Sequence, residues 1–186
     1  MRGADLLVNT LAEAGVSRIF ALSGNQIMPI FDACIDAGIT LVHTRHEAAA
    51  VFMAEAYAQL TGQPGVALVT AGGGLANTPG ALLSAMASET PLVLLSGDSP
   101  RAQDGKGAFQ EIAQTAITRA VTKHAHRTET AAGLGADLRA ALDVALGGRP
   151  GPVHLALPVD LLSAEVAPDA APPAPPAAPG GADPAM

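Results

Sequence analysis

The sequence predicts an α/β fold: a doubly wound domain with a mostly parallel central sheet and helices on both faces. Three observations predict it. Short apolar runs alternate with longer amphipathic stretches through most of the chain, which is the signature of a parallel sheet covered on both sides. The runs are continuous rather than alternating, as doubly covered strands require. Turns bearing Ser23, Glu47 and Gly72 follow directly after three of the runs, so these residues are expected at one edge of the sheet, where such folds bind ligands.

Residues 3–14 place Leu6, Leu7, Leu11 and Ala14 at helical spacing, and Gly15 stops that helix. Arg18 to Leu22 reads as a buried strand, followed by the turn Ser23-Gly24-Asn25. Ile27, Ile30, Phe31, Cys34 and Ile35 form the apolar face of the next helix, closed by Gly38. A strand near Leu41 leads into a helix from about His46 to Leu60. Gly62-Gln63-Pro64-Gly65 is a turn. The strand Val66 to Val69 runs into Ala71-Gly72-Gly73-Gly74, and a helix through Leu82, Leu83 and Met86 follows. Pro91 opens the strand Leu92 to Ser96, ending at Gly97-Asp98. Residues 98–108 lack periodicity and read as a mobile loop, with order resuming at Phe109-Gln110-Glu111-Ile112. Ala120 to His124 is read as a short strand, residues 130–146 as a helix striped by Leu134, Leu138, Leu142 and Leu146, and Val153 to Pro158 as the last strand. The domain is therefore placed at residues 1–166. Residues 167–186, rich in Pro and Ala, are expected to be a disordered tail or linker.

Composition narrows the function. The net charge of -7 argues against nucleic acid or an anionic membrane surface as partner. Aromatic residues are 3% of the chain, too few for a base-stacking surface. The single cysteine, Cys34, cannot form an internal disulfide, which suits a reducing cytoplasm. Asp5 and Glu13 interrupt what would be the core of a signal peptide, and no apolar run reaches the ~20 residues of a membrane span.

Individual motifs are ambiguous. A helix start favours a carboxylate anion while burial favours the neutral acid, so Glu47 at its helix start is either a proton-sharing ligand or an ordinary dipole partner. Gly72-Gly73-Gly74 allows close approach of backbone to a ligand, or is simply a tight turn. It is not a P-loop, and the G-x-G-x-x-G spacing fails, which disfavours a stand-alone nucleotide-binding domain. The histidines, His43, His46, His124, His126 and His154, have no acid or thiol at metal-ligand spacing, so no metal site is expected. No G-x-S-x-G elbow is present. Ser23-Gly24-Asn25 offers either substrate contacts or a helix cap. Arg149 stands in Arg149-Pro150-Gly151-Pro152, where the prolines restrict its direction.

Five segments together resemble the N-terminal pyrimidine-binding domain of thiamine-diphosphate-dependent enzymes, notably the acetolactate synthase large subunit and benzaldehyde lyase. They are Thr44 to Ala50, Val66 to Gly74 with Asn77, Phe109-Gln110-Glu111, Thr118-Arg119 with Thr122-Lys123-His124, and Gly148 to Val153. The likeness covers roughly Gly3 to Val166. It implies that Glu47 hydrogen-bonds N1' of the cofactor aminopyrimidine, so that the cofactor can lose its C2 proton and attack a 2-keto acid or aldehyde. It implies that Gly72, Gly73, Gly74 and Asn77 lie beside the pyrimidine, and that Gln110 faces the active centre together with Phe109. It puts Ser23, Gly24, Asn25 and Lys123 on the substrate side, and matches Arg149 to an arginine that contacts FAD in synthases that keep a flavin. Ala71-Gly72-Gly73-Gly74 lacks the proline common in acetolactate synthases and looks more like benzaldehyde lyase. The diphosphate and Mg2+ are held in the family by a Gly-Asp-Gly motif and a later Asn on another domain. Neither is found in this sequence, so the resemblance implies a diphosphate-binding domain or subunit as partner, in trans or in a longer chain, within a homo-oligomer. The alternative is a non-catalytic binding or regulatory module derived from that domain.

Overall fold

The structure, a computed structural model, describes residues 1–167. The proline-rich segment expected to be disordered lies, apart from Ala167, outside the described residues. Six strands run in parallel: β1 (Arg18–Ala21), β2 (Thr40–His43), β3 (Gly65–Val69), β4 (Leu92–Asp98), β5 (His124–Arg127) and β6 (Pro152–Pro158). Their order across the sheet is β2-β1-β3-β4-β6-β5. Around them lie α1 (Gly3–Glu13), α2 (Met28–Asp36), α3 (Glu47–Thr61), α4 (Gly73–Ala76), α5 (Pro79–Ala87), α6 (Gln114–Thr118), α7 (Leu134–Leu146) and α8 (Val159–Ser163).

The continuous apolar strands divide between two cores, because successive side chains point to opposite faces. Val66, Leu68, Val93, Leu95, Val153 and Leu155 pack under α1, α2, α7 and α8. Ala67, Val69, Leu92 and Leu94 face Ala50, Val51 and Ala54 of α3 and Leu82 of α5. The small residues of α3 let it lie close against the sheet. Its outer side keeps Phe52 and Met53 partly exposed. Gly62, at φ +73°, ends that helix in a left-handed cap whose N–H bonds to Ala58 O.

Several expectations are corrected. The strand expected at residues 120–124 lies at His124–Arg127, while Arg119–Val121 is a 3-10 turn. Thr122 Oγ1 donates to Thr118 O at 2.9 Å, which winds the chain there, and Lys123 N–H donates to Pro152 O at 2.8 Å, which starts the ladder only afterwards. The glycine loop leads into two helices rather than one: α4 stops at Asn77, and Pro79, which cannot donate to the preceding turn, opens α5. Ile35 and Leu146, expected on buried stripes, are 77% and 45% exposed. The irregular segment after β4 contains a 3-10 turn at Arg101–Gln103, and Glu111 accepts the amides of Gly105, Gly107 and Ala108.

Candidate cofactor-binding edge

The order of the sheet reverses beside β1. The connection after β1 leads outward to β2, and the one after β3 leads the other way to β4. This opens a crevice at the carboxyl ends, the usual ligand position in such sheets. Glu47 follows β2, the turn Ser23-Gly24-Asn25 follows β1, and the glycine loop follows β3.

Glu47 is the first residue of α3 and is half-buried. The preceding residue, His46, caps that helix, its Nδ1 accepting from the Ala48 N–H at 3.1 Å. Asn77 ends α4 and donates from Nδ2 to Glu47 Oε2 at 2.9 Å. A Cβ on Gly74 would stand 3.5 Å from Glu47 Oε1. One carboxylate oxygen is thus oriented by an amide, and the other lies beside Gly74, which packs on Thr70.

Gly72 reaches this edge at φ +61°, which L side chains rarely adopt. A Cβ there would lie 2.7 Å from Gln110 Cβ and 2.8 Å from Gln110 O. Gln110 is itself left-handed, at φ +63°, a conformation costing about 1 kcal/mol or more that the surroundings must hold in place. The structure therefore brings Gln110 against Gly72 although 38 positions separate them in sequence.

Two residues that the sequence did not single out hold the cluster together. Gln26 is 4% exposed. Its Oε1 accepts from Thr70 Oγ1 at 2.6 Å, and its Nε2 donates to Phe109 O at 3.4 Å. Gly24 packs on Thr70 so closely that a Cβ would come within 2.3 Å of it. Gln26 therefore ties together the ends of β1 and β3 and the Phe109-Gln110 segment. Nothing in local spacing marks such a pair. Ser23 and Asn25 are exposed on the turn, and the Phe109 ring is 73% exposed.

Lys123 and Arg149 are not brought to this cluster. They precede β5 and β6, which puts them at the amino edge of the sheet. Lys123 Nζ donates to the carbonyls of Val144 and Gly147, capping the end of α7. Arg149 pairs with Glu89 at 3.0 Å and is largely exposed. The placement of Lys123 follows from the corrected position of β5.

A separate cleft of about 530 Å³ lies at the carboxyl ends of β4 and β5, lined by Asp98, Asp104, Glu111, Gln114 and Arg127 among others. Behind α6, His154 is fully buried between Ser96 Oγ at 2.8 Å and Thr118 Oγ1 at 2.7 Å, and burial pushes its imidazole down to about 3. Among the described residues, no helix is long and apolar enough to cross a membrane.

A parallel α/β domain thus presents an amide-oriented carboxylate beside a loop of three glycines. The chain belongs to the thiamine pyrophosphate enzyme family, as its N-terminal TPP-binding domain, which matches residues 1–117. It is 41% identical over 160 residues to 2-hydroxyacyl-CoA lyase 2 of Danio rerio, covering 86% of this chain and 26% of that protein. It is 35% identical over 166 residues to the probable acetolactate synthase large subunit of Methanocaldococcus jannaschii, covering 89% and 28%. With acetolactate synthase 2 of Nicotiana tabacum the identity is 38% over 169 residues, covering 90% and 26%. The chain thus spans about a quarter of the length of these curated relatives.

The residues fit an aminopyrimidine. Glu47 could offer Oε1 to a ring nitrogen, its Oε2 being held by Asn77, and the neighbouring Gly73 carries no side chain at the start of α4.

Proposed function

We propose that this chain is the pyrimidine-binding half of a thiamine-diphosphate enzyme that cleaves or forms a carbon–carbon bond beside the carbonyl of a 2-keto acid or aldehyde. The names of its relatives, a 2-hydroxyacyl-CoA lyase and acetolactate synthases, support that reaction class. When bound, the cofactor supplies an electron sink next to the reacting carbonyl carbon. Glu47 would hold the pyrimidine ring nitrogen through Oε1, the oxygen that Asn77 leaves free, while Asn77 fixes the carboxyl through Oε2. Gly72, Gly73 and Gly74 form the surface against which the ring packs. Gln110, Phe109 and the Ser23-Gly24-Asn25 turn border the substrate. The Glu47–Asn77–Gly74 arrangement carries this reading.

The diphosphate and Mg2+ belong on a partner domain or subunit. Arg149, exposed and paired with Glu89, is available to a flavin on that side of the domain. Phe52, Met53 and Leu83, partly exposed on α3 and α5, support pairing with a second copy. Buried Cys34, its thiol pushed up to about 11 by burial, suits a reducing cytoplasm.

The test is Glu47→Gln in the full-length enzyme carrying this domain. Gln keeps the shape but cannot trade a proton. Exchange of the C2 proton of bound thiamine diphosphate should slow at least ~100-fold, with oligomeric state and thermal stability unchanged. Exchange at the wild-type rate would remove Glu47 from the proposed role.

A further inference from the structure

The cleft at the carboxyl ends of β4 and β5 holds an arginine whose guanidinium fork faces a carboxylate. Arg127, the last residue of β5, is gripped from behind. Its Nε donates to Asp98 Oδ2 at 2.5 Å, and Asp98 is only 3% exposed. One Nη2 proton is spent on Ser99 O at 3.1 Å. The outward fork then meets both oxygens of one carboxylate: Nη1 reaches Asp104 Oδ2 at 2.8 Å, and Nη2 reaches Oδ1 at 2.9 Å. This planar two-point contact is the geometry by which arginine selects a carboxylate.

Asp104 is placed to leave. Its side chain is 48% exposed, and Gly105 and Gly107 just after it stand at φ +71° and +73°. Exposed ion pairs are worth little, so exchange for an equivalent ligand costs little. The turn is held independently at its far side, where Glu111 takes three of its amides. Ile112 and Ala113 line the same cleft, giving an apolar wall for a short carbon tail. Gln114 also lines it. It is 2% exposed, its Nε2 donates to Gly97 O at 2.9 Å, and its Oε1 is a buried acceptor without a donor among the described residues.

We propose that Arg127 is a receptor for the carboxylate of a small organic acid, and that Asp104 fills it in cis until such a ligand displaces it. The lining selects the class of ligand. Arg127 is the one cation among the cleft residues, and Asp98, Asp104 and Glu111 surround it. A phosphate dianion or longer polyanion would meet more repulsion than attraction there. A monocarboxylate meets the fork that Asp104 already shows to be complementary. The proposal does not depend on the Glu47 reading, since no residue of that cluster is needed.

The experiment is calorimetric titration of the full-length protein with pyruvate, without thiamine diphosphate or Mg2+. Asp104→Asn removes the internal competitor and should tighten binding about fivefold over wild type, roughly what an exposed ion pair is worth as a competitor. Asp104→Glu retains the competitor and should match wild type. Arg127→Gln combined with Asp104→Asn should abolish binding, and methyl pyruvate, which lacks the carboxylate, should not bind to any form. Binding to Asp104→Asn that stays within about twofold of wild type, or that survives loss of Arg127, would overturn the proposal. So would faster amide exchange at Gly105 and Gly107 in Asp104→Asn with no gain in pyruvate binding, because Asp104 would then be only a clamp.

Discussion

Replacing Gly74 by alanine tests the packing logic of the cofactor edge. The added Cβ would lie 2.7 Å from Thr70 Cγ2 and 3.5 Å from Glu47 Oε1. The second distance is ordinary contact, while the first is an overlap of about 1 Å against a normal carbon–carbon separation. Thr70 cannot simply rotate away, because its hydroxyl donates to Gln26 Oε1 at 2.6 Å. Losing that bond costs ~1 kcal/mol, and forcing a methyl into a filled space costs ~1–3 kcal/mol. Gain in helix propensity at a position inside α4 returns ~0.5–1 kcal/mol. The net expectation is a loss of ~1–3.5 kcal/mol. Thr70→Ser deletes the obstructing methyl, keeps the hydroxyl, and costs ~1 kcal/mol by itself. In that background Gly74→Ala should become neutral or slightly stabilising. The coupling between the two substitutions is then at least ~1 kcal/mol. Urea denaturation followed by far-ultraviolet circular dichroism measures all four forms, with midpoints compared at constant slope. Gly73→Ala is the internal control, since a Cβ there meets nothing within 4 Å, and it should not destabilise. Equal effects at Gly73 and Gly74, or additive effects of Thr70→Ser and Gly74→Ala, would refute the reasoning.

Further outcomes follow from the same structure. Gly72→Ala should cost about 3 kcal/mol, because it adds left-handed strain to a clash with the Gln110 backbone that no side-chain rotation relieves; the same urea midpoints check it. His154 makes stability depend on pH. Its folded pKa of about 3 lies below the ordinary 6.5, so the unfolded chain takes up the proton first as pH falls. Its contribution is fully present above about pH 6.5 and is lost at ~1.4 kcal/mol per pH unit down to about pH 3. His154→Gln should lower that slope by about one proton in denaturation experiments across the range, and an unchanged slope would show that His154 is not the group responsible.

The buried strands and the polar pairs of the site are not equally legible in the sequence. The buried strands could be read because their neighbours are fixed by composition alone: Leu92 to Leu95 is apolar at every position, and only a doubly covered strand suits it. Glu47, the Ser23 turn and the Gly72 loop could be placed at one edge because parallel strands put all residues that follow them at the same end. The same rule would have put Arg149 at the other end. Lys123, which the resemblance matches to a substrate-side lysine, stands just before β5, a strand that begins four residues later than the sequence suggests. That strand, His-Ala-His-Arg, is a partly exposed edge with no apolar run to mark it.

What the sequence determined by itself is therefore what is local or periodic: the α/β alternation, the parallel sheet, the helix that begins at Glu47 and the glycines beside it. What only the tertiary structure decided is pairing between distant segments. Gln26 and Thr70 are 44 positions apart, Arg127 and Asp98 are 29 apart, and Glu47 and Asn77 are 30 apart. Each pair consists of ordinary polar residues with many possible partners along the chain. The partner is selected when the sheet order brings particular strand ends within hydrogen-bond reach, and the burial of one member makes leaving it unpaired costly.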